Sequence, residues 1–313
     1  MRKTILSFLL LLLTACVTPA QEATSLPFTL KPLGNNVYAA IANPKSNAGS
    51  NSGFIIGDDG VVVVDSFVTA DAAKALLGEI QKLTKLPIKF VVNTHYHLDH
   101  VAGNGVYAQA GAVVIGHKNL RGWIHTENLK FFGPTPKPEQ KSMVEGLFAP
   151  NLTYDSALEL FVGAKPVVVR YYPGHTGGDS VVFSPDAQVV FAGDLFWRKT
   201  LPNLIDGTTD KWAETDAKLA AQFPNAKFVS GHGDVGTAED VKDFEGYIND
   251  LRAAIAQGVK NGQSGDALVA SVTAQIQPKY GKWDAYDYFL KRNIADTEKE
   301  LRGEKKIPQP STP

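Results

Sequence analysis

The run His95-Tyr96-His97-Leu98-Asp99-His100 constrains this chain more than any other stretch. It gathers three imidazoles and a carboxylate within six residues, directly after Ile88–Asn93 (IKFVVN), which reads as a buried strand. Open α/β sheets place their chemistry on loops at the carboxyl ends of strands. His95 and His97 alternate with Tyr96, so an extended loop points both imidazoles the same way, and Asp99 and His100 turn toward an adjacent position. One short loop thus offers ligands to two neighbouring metal positions. Neutral imidazole with carboxylate suits zinc, and also iron or manganese.

Three more motifs sit at strand ends. Gly174-His175-Thr176-Gly177-Gly178-Asp179 follows the strand pattern Val167–Tyr172, Ala192-Gly193-Asp194 closes Val189–Gly193, and Gly231-His232-Gly233-Asp234 follows Lys227–Ser230. In each case glycine flanks the His or Asp, which lets the backbone turn sharply and approach a ligand closely. With the first loop these motifs offer five His together with Asp99 and Asp194 as candidate ligands, more than the four ligands of a closed structural zinc site.

The order HxHxDH, then His in GHTGGD, Asp in AGD and His in GHG resembles the metallo-β-lactamase-fold hydrolase superfamily, over about Val37–Gly258. The resemblance implies an α/β chain folded as an αββα sandwich. It implies that His95, His97 and His175 hold one zinc ion, that Asp99, His100 and His232 hold a second, and that Asp194 bridges them. It also implies that Asp65, closing the strand VVVVD, stands behind the ligand loop and orients an imidazole; the other reading of Asp65 is a helix-entry residue. The implied chemistry is hydrolysis by a hydroxide shared between two zinc ions, with Asp99 relaying the proton and an ester, thioester, lactone or lactam carbonyl as target. Asp at position 194 and His at 100 resemble glyoxalase II, lactonases and related esterases rather than the best-known β-lactamases, which carry Cys at the bridging position. β-Lactam hydrolysis stays open. So do a mononuclear iron enzyme of the persulfide dioxygenase kind and a non-catalytic accessory lipoprotein of a quinoprotein system.

Substrate contacts are expected from the residues after Asp194: Phe196, Trp197, Arg198 and Lys199, the two cations suiting a substrate carboxylate. Trp123 and Phe131-Phe132 offer an apolar wall or core packing. His117 and His125 match no ligand position.

The rest of the chain frames this centre. Arg2 and Lys3 precede an apolar run, Ile5–Leu13, too short to span a membrane, so residues 1–15 read as a signal peptide for export to the periplasm or outer membrane. Leu13-Thr14-Ala15-Cys16 resembles a lipoprotein lipobox, giving a lipid anchor on Cys16; the alternative is ordinary cleavage near Ala20. Cys16 is the only cysteine, so no internal disulfide can form. Net charge is −1 with no basic run, so nothing suggests nucleic-acid binding, and the hydrolase resemblance implies a small-molecule substrate. A linker is expected over 16–30, the catalytic domain over 31–258, a helical extension over 259–302 and a disordered tail over 303–313. Helices are expected at about 70–83, 103–110, 118–129, 211–223 and 238–258, with 131–150 as a long irregular segment over the site.

Overall fold

The computed structural model describes residues 25–309. The signal peptide, Cys16 and the last four residues lie outside them. No described helix is long and apolar enough to cross a membrane.

The first sheet runs in sequence order: β1 (Phe28–Gly34), β2 (Val37–Ala42), β3 (Ser52–Ile56), β4 (Val61–Val64), β5 (Ile88–Val92), β6 (Val113–His117) and β7 (Leu152–Tyr154). Its early strands pair antiparallel, and from β4 onward the pairing is parallel. The crossovers between parallel strands carry helices: α1 (Ala70–Leu83), the short α2 (Leu98–Val101) and α3 (Asn104–Gln109), then α4 (Lys118–Trp123), α5 (Thr126–Lys130) and α6 (Pro138–Glu145). The second sheet holds β8 (Ala157–Val162), β9 (Lys165–Tyr171), β10 (Ser180–Ser184), β11 (Val189–Trp197) and β12 (Lys227–His232). Helices α7 (Thr209–Gln222), α8 (Ala238–Lys260), α9 (Gly265–Tyr280) and α10 (Tyr286–Leu301) accompany it.

Side-chain alternation assigns the layers. In β4, Val62 and Val64 enter the core between the sheets, while Val61 and Val63 meet α1 and α3 through Leu76, Ile80 and Tyr107. In β11, Val189 and Phe191 face the inter-sheet core, while Val190 and Ala192 face Trp212 of α7 and Phe244 of α8. The result is the expected αββα sandwich. Helices α9 and α10 share the core of α7 and α8 through Leu268, Val272, Ile276 and Leu290, so the C-terminal helices form part of the outer layer.

Four expectations change. Residues 28–30 belong to β1 and not to a linker, because Phe28 and Leu33 are buried in a strand whose other side chains are partly or fully exposed. The helix expected over 118–129 breaks at Ile124-His125. The segment 131–150 is partly regular: Pro138 opens α6, where its missing N–H costs nothing, and Gln140 Oε1 accepts from Lys137 N at 2.8 Å. The tail is fixed as far as Gln309, since Lys305 Nζ donates to the carbonyls of Leu204 and Gly207, each at 2.6 Å, and Trp123 Nε1 donates to Gln309 O at 2.8 Å.

Candidate metal centre

The centre is assembled after β4, β5 and β9 and at the end of β12, with Asp194 inside β11, which runs on to Trp197 rather than closing at Gly193. Asp65 follows β4 with φ 58 and is buried. One of its oxygens accepts from Thr94 N at 2.7 Å; the other accepts from Thr94 Oγ1 at 2.7 Å and lies 2.8 Å from His100 Nδ1. It therefore ties the start of the ligand loop to its end and turns His100 Nε2 inward. Helix α1 is capped by Thr69, so Asp65 is no helix-entry residue. Behind the loop, Asn93 Nδ2 donates to Asn104 Oδ1 at 2.9 Å and to His100 O at 3.2 Å. The Asp99-His100 stretch forms the short helix α2, which sets these two side chains apart from His95 and His97.

The sequence motifs converge as two clusters about Asp194. Asp194 Oδ2 lies 3.6 Å from His95 Nε2 and 3.3 Å from His175 Nε2, and His175 Nε2 lies 3.0 Å from His97 Nδ1. Asp194 Oδ1 lies 3.1 Å from His100 Nε2 and 3.5 Å from His232 Nε2, and His232 Nε2 lies 3.2 Å from Asp99 Oδ2. A tetrahedral ion with bonds of about 2.0–2.1 Å sets its ligand atoms about 3.3 Å apart, which matches both clusters. His95 Nε2, His100 Nε2 and Asp194 Oδ1 are buried with no well-oriented hydrogen-bond partner. Each such orphan costs about 1–3 kcal/mol, so the donor set fits cations held between these atoms. Gly231 is required here: a Cβ on it would lie 1.8 Å from Asp194 Oδ1.

The clusters differ in charge. Burial drives His95 well below its ordinary range and His175 to about 3, so both imidazoles are neutral. In the other cluster burial opposes protonation but loses: Asp194, Asp99 and Asp65 raise His100 well above its usual value, and Asp194 and Asp99 bring His232 to about 9. Against burial, His100 and His232 in turn hold Asp99 at about 2 and Asp194 well below the carboxylate range.

A cleft opens over both clusters. One arm, about 310 Å³, is walled by Trp197, Thr200, Ala285 and Phe289; the other, about 240 Å³, by Val68, Leu98 and Phe131. His97, Asp99 and Asn203 line both. Of the substrate-contact candidates, Trp197 lies on the cleft, its ring centroid 3.9 Å from that of His232. The others do not. Phe196 is buried against Phe228 and Phe244, Arg198 Nε turns to Asp240 Oδ1 on α8 at 3.2 Å, and Lys199 is exposed at a left-handed turn with φ 49. An irregularity in β11 between Gly193 and Trp197 breaks the simple alternation and brings Trp197 onto the same cleft as Asp194, while Arg198 and Lys199 lie past the end of the strand. Trp123 packs on Tyr96 and donates to the tail, whereas Phe131 meets His97 edge-on at 5.0 Å. His117 caps α4 and stacks on Tyr171, and His125 pairs with Leu147 O, so neither joins a cluster.

Sequence reasoning passed over two acids. Asp206 Oδ2 lies 3.1 Å from His97 Nε2 and accepts from the Tyr96 hydroxyl, which fixes the ring whose Nδ1 faces the first cluster. Lys305 holds the loop bearing Asp206, and Glu300, paired with Arg252 at 2.8 Å, caps α7 by accepting from Thr209 N at 2.9 Å. Asp179 accepts from the backbone N–H of Gly174, Thr176 and Gly177, folding the turn that presents His175. Asp179 stands inside the quoted GHTGGD motif, where its position among glycines was the available signal.

The metallo-beta-lactamase superfamily profile matches residues 47–232. A linear primary-alkylsulfatase of a Pseudomonas species is 27% identical over 254 residues, 68% of this chain and 48% of that protein. Hydroxyacylglutathione hydrolase of Brucella anthropi is 28% identical over 183 residues, 58% of this chain and 61% of that protein. The chain thus spans less than two thirds of the length of these curated relatives. A metallo-beta-lactamase from Pontibacter korlensis shares the fold, with a TM-score of 0.57 at 20% identity over 71% of this chain and 99% of that one. Because the profile covers more than half of the 313 residues and spans both ligand clusters, the chain belongs to the metallo-beta-lactamase superfamily.

Proposed function

We propose that the protein is a metal-dependent hydrolase that binds two ions, zinc by preference, and cleaves an ester, thioester or lactone. The observation that carries this reading is Asp194, whose two oxygens each face a separate group of imidazoles. His95, His97 and His175 would hold one ion, Asp99, His100 and His232 the other, with Asp194 between them. When bound, such ions supply Lewis acidity and bring the pKa of a shared water from about 15.7 toward about 7. The chain's own residues do the rest. Asp99, ionised and partly exposed to the cleft, accepts the proton of the attacking water and returns it to the oxygen or sulfur that leaves as its bond to the acyl carbon breaks. Trp197 covers His232 and limits bulk water. The relatives named above are hydrolases, which supports the reaction class. The assembled second cluster favours two ions over a single iron.

Chelation of the purified chain is expected to abolish hydrolysis of a panel of esters, thioesters, lactones and a cephalosporin, and zinc to restore it. Full activity in metal-free protein would overturn the proposal. The start of the chain supports export with a lipid on Cys16, through Arg2, Lys3, the apolar Ile5–Leu13 and the lipobox-like Leu13–Cys16. Cys16→Ser is expected to release a soluble form or block processing. A wild-type protein that is soluble and starts after Ala20 would contradict the anchor.

A further inference from the structure

We propose that the cleft selects an uncharged acyl substrate with an apolar group on each side of the scissile bond; this rests on the hydrolase reading above. The two arms of the cleft meet at His97, Asp99 and Asn203, beside the clusters. A bond cleaved at that junction sends one substituent into each arm. The first arm is walled by Trp197, Ala285 and Phe289, the second by Val68, Leu98 and Phe131. Ligand pockets with such walls take up apolar groups and orient them by few polar contacts. The neutral polar groups at hand are Thr200 and Asn203, suited to an ester or lactone oxygen.

Among the described residues, no Lys or Arg lines either arm. The nearby cations are committed elsewhere: Arg198 to Asp240, Lys305 to the carbonyls of Leu204 and Gly207, while Lys199 is exposed outside the cleft. The ionisable groups that do line it, His97, Asp99, Asp194 and His232, all belong to the two clusters. A carboxylate or sulfate carried to the apolar walls of either arm, away from the ions the clusters would hold, would lose its water and meet no Lys or Arg among the described lining residues. Paired recognition of such groups rests on Arg or Lys. A sulfate ester or a glutathione conjugate, the kinds of compound in the relatives' names, therefore fits this cleft poorly. Ala285 and Phe289 stand at the start of α10, so the C-terminal helices set this preference.

The test uses the metal-loaded full chain and matched p-nitrophenyl esters, hexanoyl against the same chain ending in a carboxylate. The neutral ester is expected to have at least about tenfold the kcat/KM of the charged one. Phe289→Lys is expected to narrow or invert that ratio with metal content unchanged, and Phe289→Gln serves if the lysine variant does not fold. Equal or better turnover of the charged ester by the wild type would overturn the proposal, as would a ratio that neither variant moves. Titration calorimetry with a non-hydrolysable pair, 2-octanone and 7-oxooctanoate, reads the preference without turnover. Tighter binding of the neutral ketone supports the proposal, and equal or tighter binding of the charged one overturns it. If no ester, thioester or lactone is cleaved at all, the hydrolase reading falls while the calorimetry still decides this one.

Discussion

The two halves of the candidate centre use the same side chains under opposite conditions. His95, His97 and His175 are buried, and burial keeps His95 and His175 free of protons. Asp99 and His232 are partly exposed beside a buried His100, and the neighbouring carboxylates keep both imidazoles charged. The first group offers lone pairs ready for a cation. The second must release protons before it can bind one. Ligand identity therefore does not set affinity by itself; the number and direction of neighbouring carboxylates decide whether a histidine is a ligand in waiting or a held proton.

The largest expected effect comes from removing the residue the halves share. Asp194→Asn should lower activity by at least about a hundredfold and cut bound metal by about half, read by elemental analysis beside kcat/KM. An Asn variant that keeps full metal and activity would show that the halves are independent. A more selective change is Asp206→Asn, which leaves His97 in place but loosens its ring. Chelator competition should show about 10–100-fold weaker binding in the first half only. Equal weakening of both halves would mean that Asp206 acts on the fold as a whole.

Acidity should separate the halves next. Between pH 9 and pH 6, metal affinity of the second half should fall by more than about tenfold per pH unit, because binding displaces a proton from His232, raised to about 9, and another from His100, held charged by its carboxylates. Over the same range, His95 and His175 add no such dependence to the first half, because both stay neutral. Identical slopes for two successive binding steps would erase the distinction.

How much of this was legible in the sequence follows from distance along the chain. The HxHxDH loop could be read because its ligands are neighbours, and Asp194 and His232 because a glycine stands directly before each. Asp206 was hidden: 109 residues separate it from His97, and NLIDG has no periodicity to place it. The clasp of Lys305 on Leu204, 101 residues apart, is invisible for the same reason, and so the tail was expected to be disordered. Arg198 and Lys199 were misplaced because charge alone does not show that β11 ends at Trp197, after which Arg198 pairs with Asp240 and Lys199 sits in a left-handed turn. Strand β1 escaped because Lys31 and Pro32 interrupt its apolar pattern.

The smallest expected effect lies outside the centre and serves as its control. Asp216 on α7 is buried with neither oxygen partnered, and burial, then Glu245 and Asp179, raise its pKa well above normal. A raised carboxyl keeps its proton in the folded state while the unfolded chain releases it above about pH 4, so stability falls as pH rises from there. Asp216→Asn keeps the shape and cannot ionise. It should gain about 2–4 °C in Tm at pH 8 and little at pH 4, without altering metal content. A shift equal at both pH values would rule out ionisation as the cause.

The central claim is that one carboxylate joins two metal positions. Anomalous diffraction at the zinc edge, on crystals of zinc-loaded protein, tests it directly. The account predicts two peaks about 3.5–4 Å apart, one beside each oxygen of Asp194. A single peak, or two peaks with Asp194 bound to neither, would contradict it.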